Sequence, residues 1–266
     1  MRKIVLFSTV LLLAGFLLYL FAPIGVLWER TYTRLDFFNP FHEETFINPF
    51  YTAFLIPHAW LPIELGNAIN LLLNICVLAL LVDKKCTGKK WLPLILAFTN
   101  PFFFDLMRVN NIEWIPVLGL LCGEFGLPLL AVKPQVFGAV AIPWLVKAIK
   151  SKDYLVWLPF VVSFVVIGAF LPHGVWFLKN PMPAIGEMWN FAPWPILIPV
   201  GLYLLYRSVI KDDTDLGALA TAFLVPYAAP YSMAPYLALV AARWPKVGVL
   251  VWGASWWYFV VTLRRA

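Results

Sequence analysis

Apolar runs long enough to cross a bilayer recur along the whole chain, separated by short polar stretches. Met1-Arg2-Lys3 precede an apolar run from Ile4 to Leu27. Its length, and the lack of a small-x-small cleavage site, predict a first transmembrane helix rather than a signal peptide. Residues 63–82 predict a second crossing, which ends at the lysine-rich DKKCTGKK. Residues 91–107 predict the return, and residues 154–172 and 193–208 predict two further crossings. Residues 216–262 contain Pro226, Pro230 and Pro235 and predict two or three broken helices. Residues 51–62 are too short to span; with His58, Trp60 and Pro62 they suit a helix lying in the interface.

Charge then orients these segments. If residues 51–62 lie in the interface, Arg2 and Lys3, the four lysines Lys84, Lys85, Lys89 and Lys90, and Lys147, Lys150 and Lys152 all fall on one side. The excess of Lys and Arg in cytoplasmic loops makes that side the inside, so the N-terminus is expected there. Residues 29–50, the polar stretch that follows the first helix, are then an outside loop. The side of the C-terminus stays open, because Arg243-Trp244-Pro245-Lys246 and Arg264-Arg265-Ala266 are equally basic.

The most informative stretch is the apolar run from Leu127 to Val146, which encloses Lys133, Pro134 and Gln135. A charge inside such a run faces protein or a cavity rather than lipid. Pro134 removes a backbone donor and favours a break in the helix. Irregular backbone at membrane depth survives only where protein or water surrounds it. Two readings of residues 112–149 remain open: one crossing with a re-entrant piece, or three short segments near 112–123, 125–133 and 135–149, with Glu124 near the inner face.

Composition supports a membrane protein and excludes several classes. Of 266 residues, 62% are hydrophobic and 13% charged, with mean hydropathy +0.82; a soluble domain is nearer half apolar and a quarter charged. No hydrophilic block is long enough for a separate domain, so residues 1–266 read as a single transmembrane domain. The net charge of +6 resides in short loops and is not a nucleic-acid signature. The 13 Trp lie mostly near the ends of apolar runs, as interfacial belts do. Cys76, Cys86 and Cys122 have no zinc or disulfide spacing. His42, His58 and His173 are widely separated, so no metal site is expected. Without a Walker A, Rossmann or G-x-S-x-G pattern, no cofactor is expected either.

Three constellations carry candidate chemistry. Asp36 lies between Leu35 and Phe37-Phe38 in the first outside loop, where a carboxylate beside aromatics can serve as a general base; Glu43 and Glu44 read as solvated. Arg108, Asn110, Asn111 and Glu113 can hydrogen-bond a sugar or phosphate, or else cap a helix and pair locally, Asp105 with Arg108. Lys133, with Gln135 beside it, can hold a lipid phosphate as a point charge, or pair internally with Asp105 or Glu113.

Taken together, outside Asp36, the segment NPFYTAFLIPHAWLPIELGNAINLLLNICVLALL, and VNNIEWIPVLGLL followed by LLAVKPQ resemble the GT-C superfamily of polytopic glycosyltransferases, most of all glycosyltransferase family 87. The similarity covers roughly residues 1–240 in order of elements. It implies an all-α polytopic membrane bundle of about eight to ten membrane segments with an interfacial helix after the first outside loop. It also implies transfer of a hexose or pentose from a polyprenyl-phosphate-sugar to an acceptor on the outer face, without metal. By that analogy Asp36 is the catalytic base, Lys133 and Arg108 bind the donor phosphate, and Asn110, Asn111, Glu113 and Gln135 line the site. The expected partners are the lipid-linked donor and membrane lipid, the expected place is a bacterial plasma membrane, and the oligomeric state is open. The alternatives are a non-catalytic lipid-binding or assembly subunit with the same fold, and a small transporter. The absence of an inverted repeat of broken segments weighs against the last.

Overall fold

The computed structural model describes residues 2–29, 56–151, 154–165, 168 and 190–263. Asp36, Glu43 and Glu44 lie outside the described residues. The described chain is helical throughout, with no strand among the described residues.

The first helix, α1 (Arg2–Phe21), packs on α2 (Ile63–Lys85). Trp28 stacks at 5.3 Å on His58 of a short 3-10 turn, Pro57–Trp60, just ahead of α2. Helix α2 is the one described helix long and apolar enough by itself to cross a membrane. Lys84 and Lys85 occupy its last turn, where cations oppose the helix dipole.

The predicted crossing over 91–107 is broken into α3 (Trp91–Phe98) and α4 (Pro101–Val109), bent by 56°. Asn100 makes the break affordable. Its Nδ2 donates to the Leu96 and Ala97 carbonyls at 3.0 and 2.7 Å, and its Oδ1 accepts from the Phe103 N–H at 2.9 Å. One side chain thus satisfies orphan groups at the end of one helix and the start of the next. Pro101 takes the first helical position, where its missing N–H costs nothing.

Residues 112–150 form a hairpin and a descending helix. α5 (Trp114–Leu121) turns at Gly123, whose φ of +64° is left-handed, and returns as α6 (Leu127–Val132). The two arms touch backbone to backbone: a Cβ on Gly126 would lie 1.8 Å from the Gly119 carbonyl oxygen. The six residues of α6 rise only about 9 Å, so the hairpin returns before crossing a bilayer's thickness. Helix α6 stops at Val132, ahead of Pro134. A turn over 133–137 follows, then α7 (Ala141–Lys150). Both the re-entrant and the three-segment expectation thus describe part of what is seen.

The remaining helices are the apolar stretch Tyr154–Val165, α8 (Ile198–Lys211), α9 (Thr214–Leu224), α10 (Ala234–Arg243) and α11 (Pro245–Leu263). The alanine-rich α10 is almost wholly buried and packs against α2, α3 and α11. Small residues allow this closeness: a Cβ on Gly248 of α11 would lie 2.7 Å from the Ala241 Cα.

Charges gather at one end of the bundle. Lys85 meets Asp215 at 2.5 Å, Arg243 lies 3.6 Å from Asp213 and 3.7 Å from Asp215, and Lys147 meets Glu124 at 2.5 Å. Asp83 pairs with Lys90 at the same end. The surface between the ends is apolar. Phe164, Leu12, Trp257 and Leu250 are each more than 70% exposed, while Asn70, Asn74, Asn110 and Glu113 are fully buried.

Candidate functional site

The polar interior is built on one face of α2. Asn67, Asn70 and Asn74 are spaced three and four residues apart, which aligns them along a helix. Asn67 receives the Gly25 N–H at 2.9 Å and the Asn110 amide at 2.7 Å, and donates to the Pro23 carbonyl at 3.2 Å. Asn70 donates to the Asn110 side chain at 2.7 Å and to the Asn111 carbonyl at 3.1 Å, and accepts from the Trp114 indole at 2.8 Å. Asn74 donates to the Asn111 carbonyl at 2.6 Å and accepts the Trp114 N–H at 3.0 Å.

This ladder serves the backbone. Residues 110–113 are a non-helical link with its polar groups buried, and Asn110 sits in the left-handed region at φ 53°. Unpaired, each such group costs about 1–3 kcal/mol. Asn110 and Asn111, expected to line a sugar site, are therefore bonded to the protein itself. The three α2 asparagines were not among the expected site residues, although their helical spacing within an apolar run was a readable signal.

At the end of the link, Glu113 meets Lys133. Lys133 Nζ lies 2.5 Å from Glu113 Oε1, with the Glu113 side chain fully buried and that of Lys133 10% exposed. Ser232 Oγ donates to the same oxygen at 2.7 Å, and the Tyr231 ring lies 4.8 Å from the ammonium. Glu113 Oε2 is buried without a hydrogen-bond partner. Beyond Lys133 the turn is pinned by Tyr236, whose hydroxyl donates to the Gln135 carbonyl at 2.8 Å and accepts the Phe137 N–H at 3.2 Å. Phe137 is held at φ 67°, a conformation that a bulky residue keeps only when its surroundings over-determine it.

Arg108 lies elsewhere. Its side chain is 68% exposed and grips Asp105 with Nη2 at 2.7 Å and Nε at 3.1 Å. The two cations expected to share a phosphate thus have separate carboxylate partners. Asp105 borders a cleft lined by Pro101, Phe102, Phe191, Pro230, Ser255, Tyr258 and Phe259. The chain matches no family model, no curated protein and no solved structure. The likeness to GT-C enzymes therefore rests on the quoted motifs alone. Among the described residues no group of His, Cys, Asp and Glu could hold a metal ion.

Proposed function

We propose that this chain is a multi-pass membrane protein that binds a polyprenyl-phosphate-linked sugar on the outer side of a bacterial plasma membrane and transfers the sugar to an acceptor. The observation that carries the membrane part is the distribution of polarity: apolar side chains outside, amides and an ion pair inside. Lipid accepts such a surface, and water penalises it. The charged end, with Lys85, Lys90, Lys147 and Arg243, is the cytoplasmic one on this reading, as is the N-terminus. Helix α11 begins at that end beside Arg243 and Lys246, so its Leu263 end is outside. A cysteine replacing Lys89 should react with a membrane-impermeant maleimide only after the membrane is opened, and one placed after Leu263 should react in intact cells. The reverse pattern would overturn the orientation.

The transfer part rests on the resemblance alone. Asp36 is the proposed base. Lys133, already joined to Glu113, is assigned to holding the hairpin rather than the phosphate. Native mass spectrometry of the purified protein should show a polyprenyl-phosphate-sugar, and Asp36→Asn should keep that lipid while abolishing transfer. An empty protein would sink the reading. Bound lipid without transfer in the wild type would leave a lipid-binding subunit, the second reading.

A further inference from the structure

Four helices bring their basic ends to one edge of the bundle. Helix α10 packs against α2, α3 and α11. Lys85 in the last turn of α2 and Arg243 at the end of α10 converge on Asp215. Lys90, just ahead of α3, pairs with Asp83 of α2. Helix α11 starts at Pro245, directly after Trp244.

The cations of this edge divide into two kinds. Lys85, Lys90 and Arg243 are committed to Asp215, Asp83 and Asp213, and Arg243 also lies 5.8 Å from the Trp244 ring. Asp212, next along the chain, lies near Lys147. Lys84, Lys89 and Lys246 are exposed, and among the described residues none of them has a carboxylate within ion-pair reach. The acids of the edge are thus engaged, and these ammonium groups keep their charge for something outside the protein.

Their setting selects the partner. Trp91, 60% exposed, follows Lys90 at the start of α3, and exposed Ile95, Val247 and Leu250 carry an apolar surface onward along α3 and α11. The lysines therefore stand at the rim of the surface that meets lipid on the membrane reading, with an indole at the depth where tryptophan anchors. An anion that satisfies them has to lie where water gives way to hydrocarbon. The phosphate diester of a phospholipid lies there, with its acyl chains against the same apolar surface. Lysine meets phosphate as a compact point charge, and basic side chains close to a bilayer attract its anionic lipids. A zwitterionic headgroup brings its own cation to the site and gains less. A soluble anion gains the charge but not the apolar surface.

We propose that the edge formed by Lys84, Lys89, Lys246 and Trp91 binds the headgroup of an anionic phospholipid. The proposal uses only the membrane part of the proposed function and is independent of sugar transfer. With the lysine-rich end inside, the lipid belongs to the inner leaflet.

The test is native mass spectrometry of the full chain in mild detergent, titrated with phosphatidylglycerol, with phosphatidylcholine and with free glycerol 3-phosphate. The affinity of the first bound molecule is read in each case. Phosphatidylglycerol should bind about tenfold or more tightly than phosphatidylcholine, and glycerol 3-phosphate should not bind at the same concentrations. Lys89→Gln and Lys246→Gln should each weaken phosphatidylglycerol about fivefold, the contribution of one lysine near an anionic headgroup, and leave phosphatidylcholine unchanged. Both side chains are exposed, so the fold is not at stake. Arg108→Gln removes the same charge from an exposed side chain at the other end of the bundle and should change neither lipid. The proposal is overturned if the two lipids bind alike or if glycerol 3-phosphate binds as tightly as phosphatidylglycerol. It is also overturned if Arg108→Gln weakens phosphatidylglycerol as much as the lysine variants do, since net charge alone would then explain the binding. Binding in detergent does not depend on orientation. If the maleimide pattern is reversed while these results hold, the edge keeps its lipid and only the leaflet changes. If the maleimide pattern holds and the lipid preference is absent, this proposal fails alone.

Discussion

Replacing Glu113 with alanine is expected to lower the unfolding free energy by about 3–5 kcal/mol, the usual cost of leaving one member of a buried ion pair alone. Lys133 would keep its place under the Tyr231 ring with no carboxylate to meet it, and the Ser232 hydroxyl would lose its acceptor. Lys133→Met alone should cost less, because methionine keeps most of the side-chain volume without charge, but it leaves the Glu113 carboxylate with only Ser232. The double variant Glu113→Ala with Lys133→Met should lose much less than the sum of the two single losses, since no unpaired charge then remains. Equilibrium unfolding in a mixed detergent series, run as a double-mutant cycle, measures the coupling. Additive losses would mean that the two side chains do not interact, and would remove the pair as the tie between hairpin and link. The same variants bear on function. If Lys133 bound phosphate directly, Lys133→Met would abolish lipid binding in the folded protein. As a positioning residue it should reduce stability more than affinity.

The second large effect is expected at the hairpin. Gly126→Ala would put a methyl group 1.8 Å from the Gly119 carbonyl oxygen and 2.7 Å from its Cα. The obstacle is backbone, so no rotamer change relieves it. The arms must separate, and the cost should reach about 3 kcal/mol or more, at or beyond the upper end of ordinary overpacking. Gly119→Ala meets the Gly126 carbonyl oxygen at 2.8 Å and the flexible Leu130 side chain at 3.1 Å, and should cost less. Gly88→Ala, with nothing within 4 Å, is the control and should be silent. Melting temperature and folded yield after size-exclusion chromatography check the order. A Gly126→Ala protein as stable as the control would show that the two arms do not pack as described.

Part of this architecture was legible in the chain because local rules govern it. The apolar runs and their lysine-rich boundaries place most of the helices, and α2 runs Ile63–Lys85 where 63–82 was expected. A turn at Lys133-Pro134-Gln135 follows from the missing N–H of proline and the cost of a lone charge. The bend at Asn100 had a local signal in Asn100-Pro101, although Trp91 to Met107 is apolar enough to read as one crossing. It depends on one amide serving two helix ends. The left-handed Phe137 has no local signal, since its conformation is imposed by Tyr236, 99 residues away. The partner of Lys133 was named beforehand only as one of two acids, and only folding brings Glu113 to it across 20 residues. Asp36, the centre of the catalytic expectation, lies outside the described residues, so the proposed chemistry rests on its motif.

The asparagine ladder also has a consequence for how the chain is made. On the membrane reading, α2 reaches the bilayer before the link at 110–114, so Asn70 and Asn74 enter it with their partners not yet in place. The Glu113–Lys133 pair can form once residue 133 is made, but its further donor, Ser232, lies 119 residues downstream of Glu113. The asparagines of α2 and the Glu113 carboxylate thus complete their hydrogen bonds only as later segments are added. On the membrane reading, the half-made protein must be sheltered by the insertion machinery until α10 arrives. A ribosome stalled before residue 230 should hold an intermediate that crosslinks to that machinery, and release beyond residue 243 should free it.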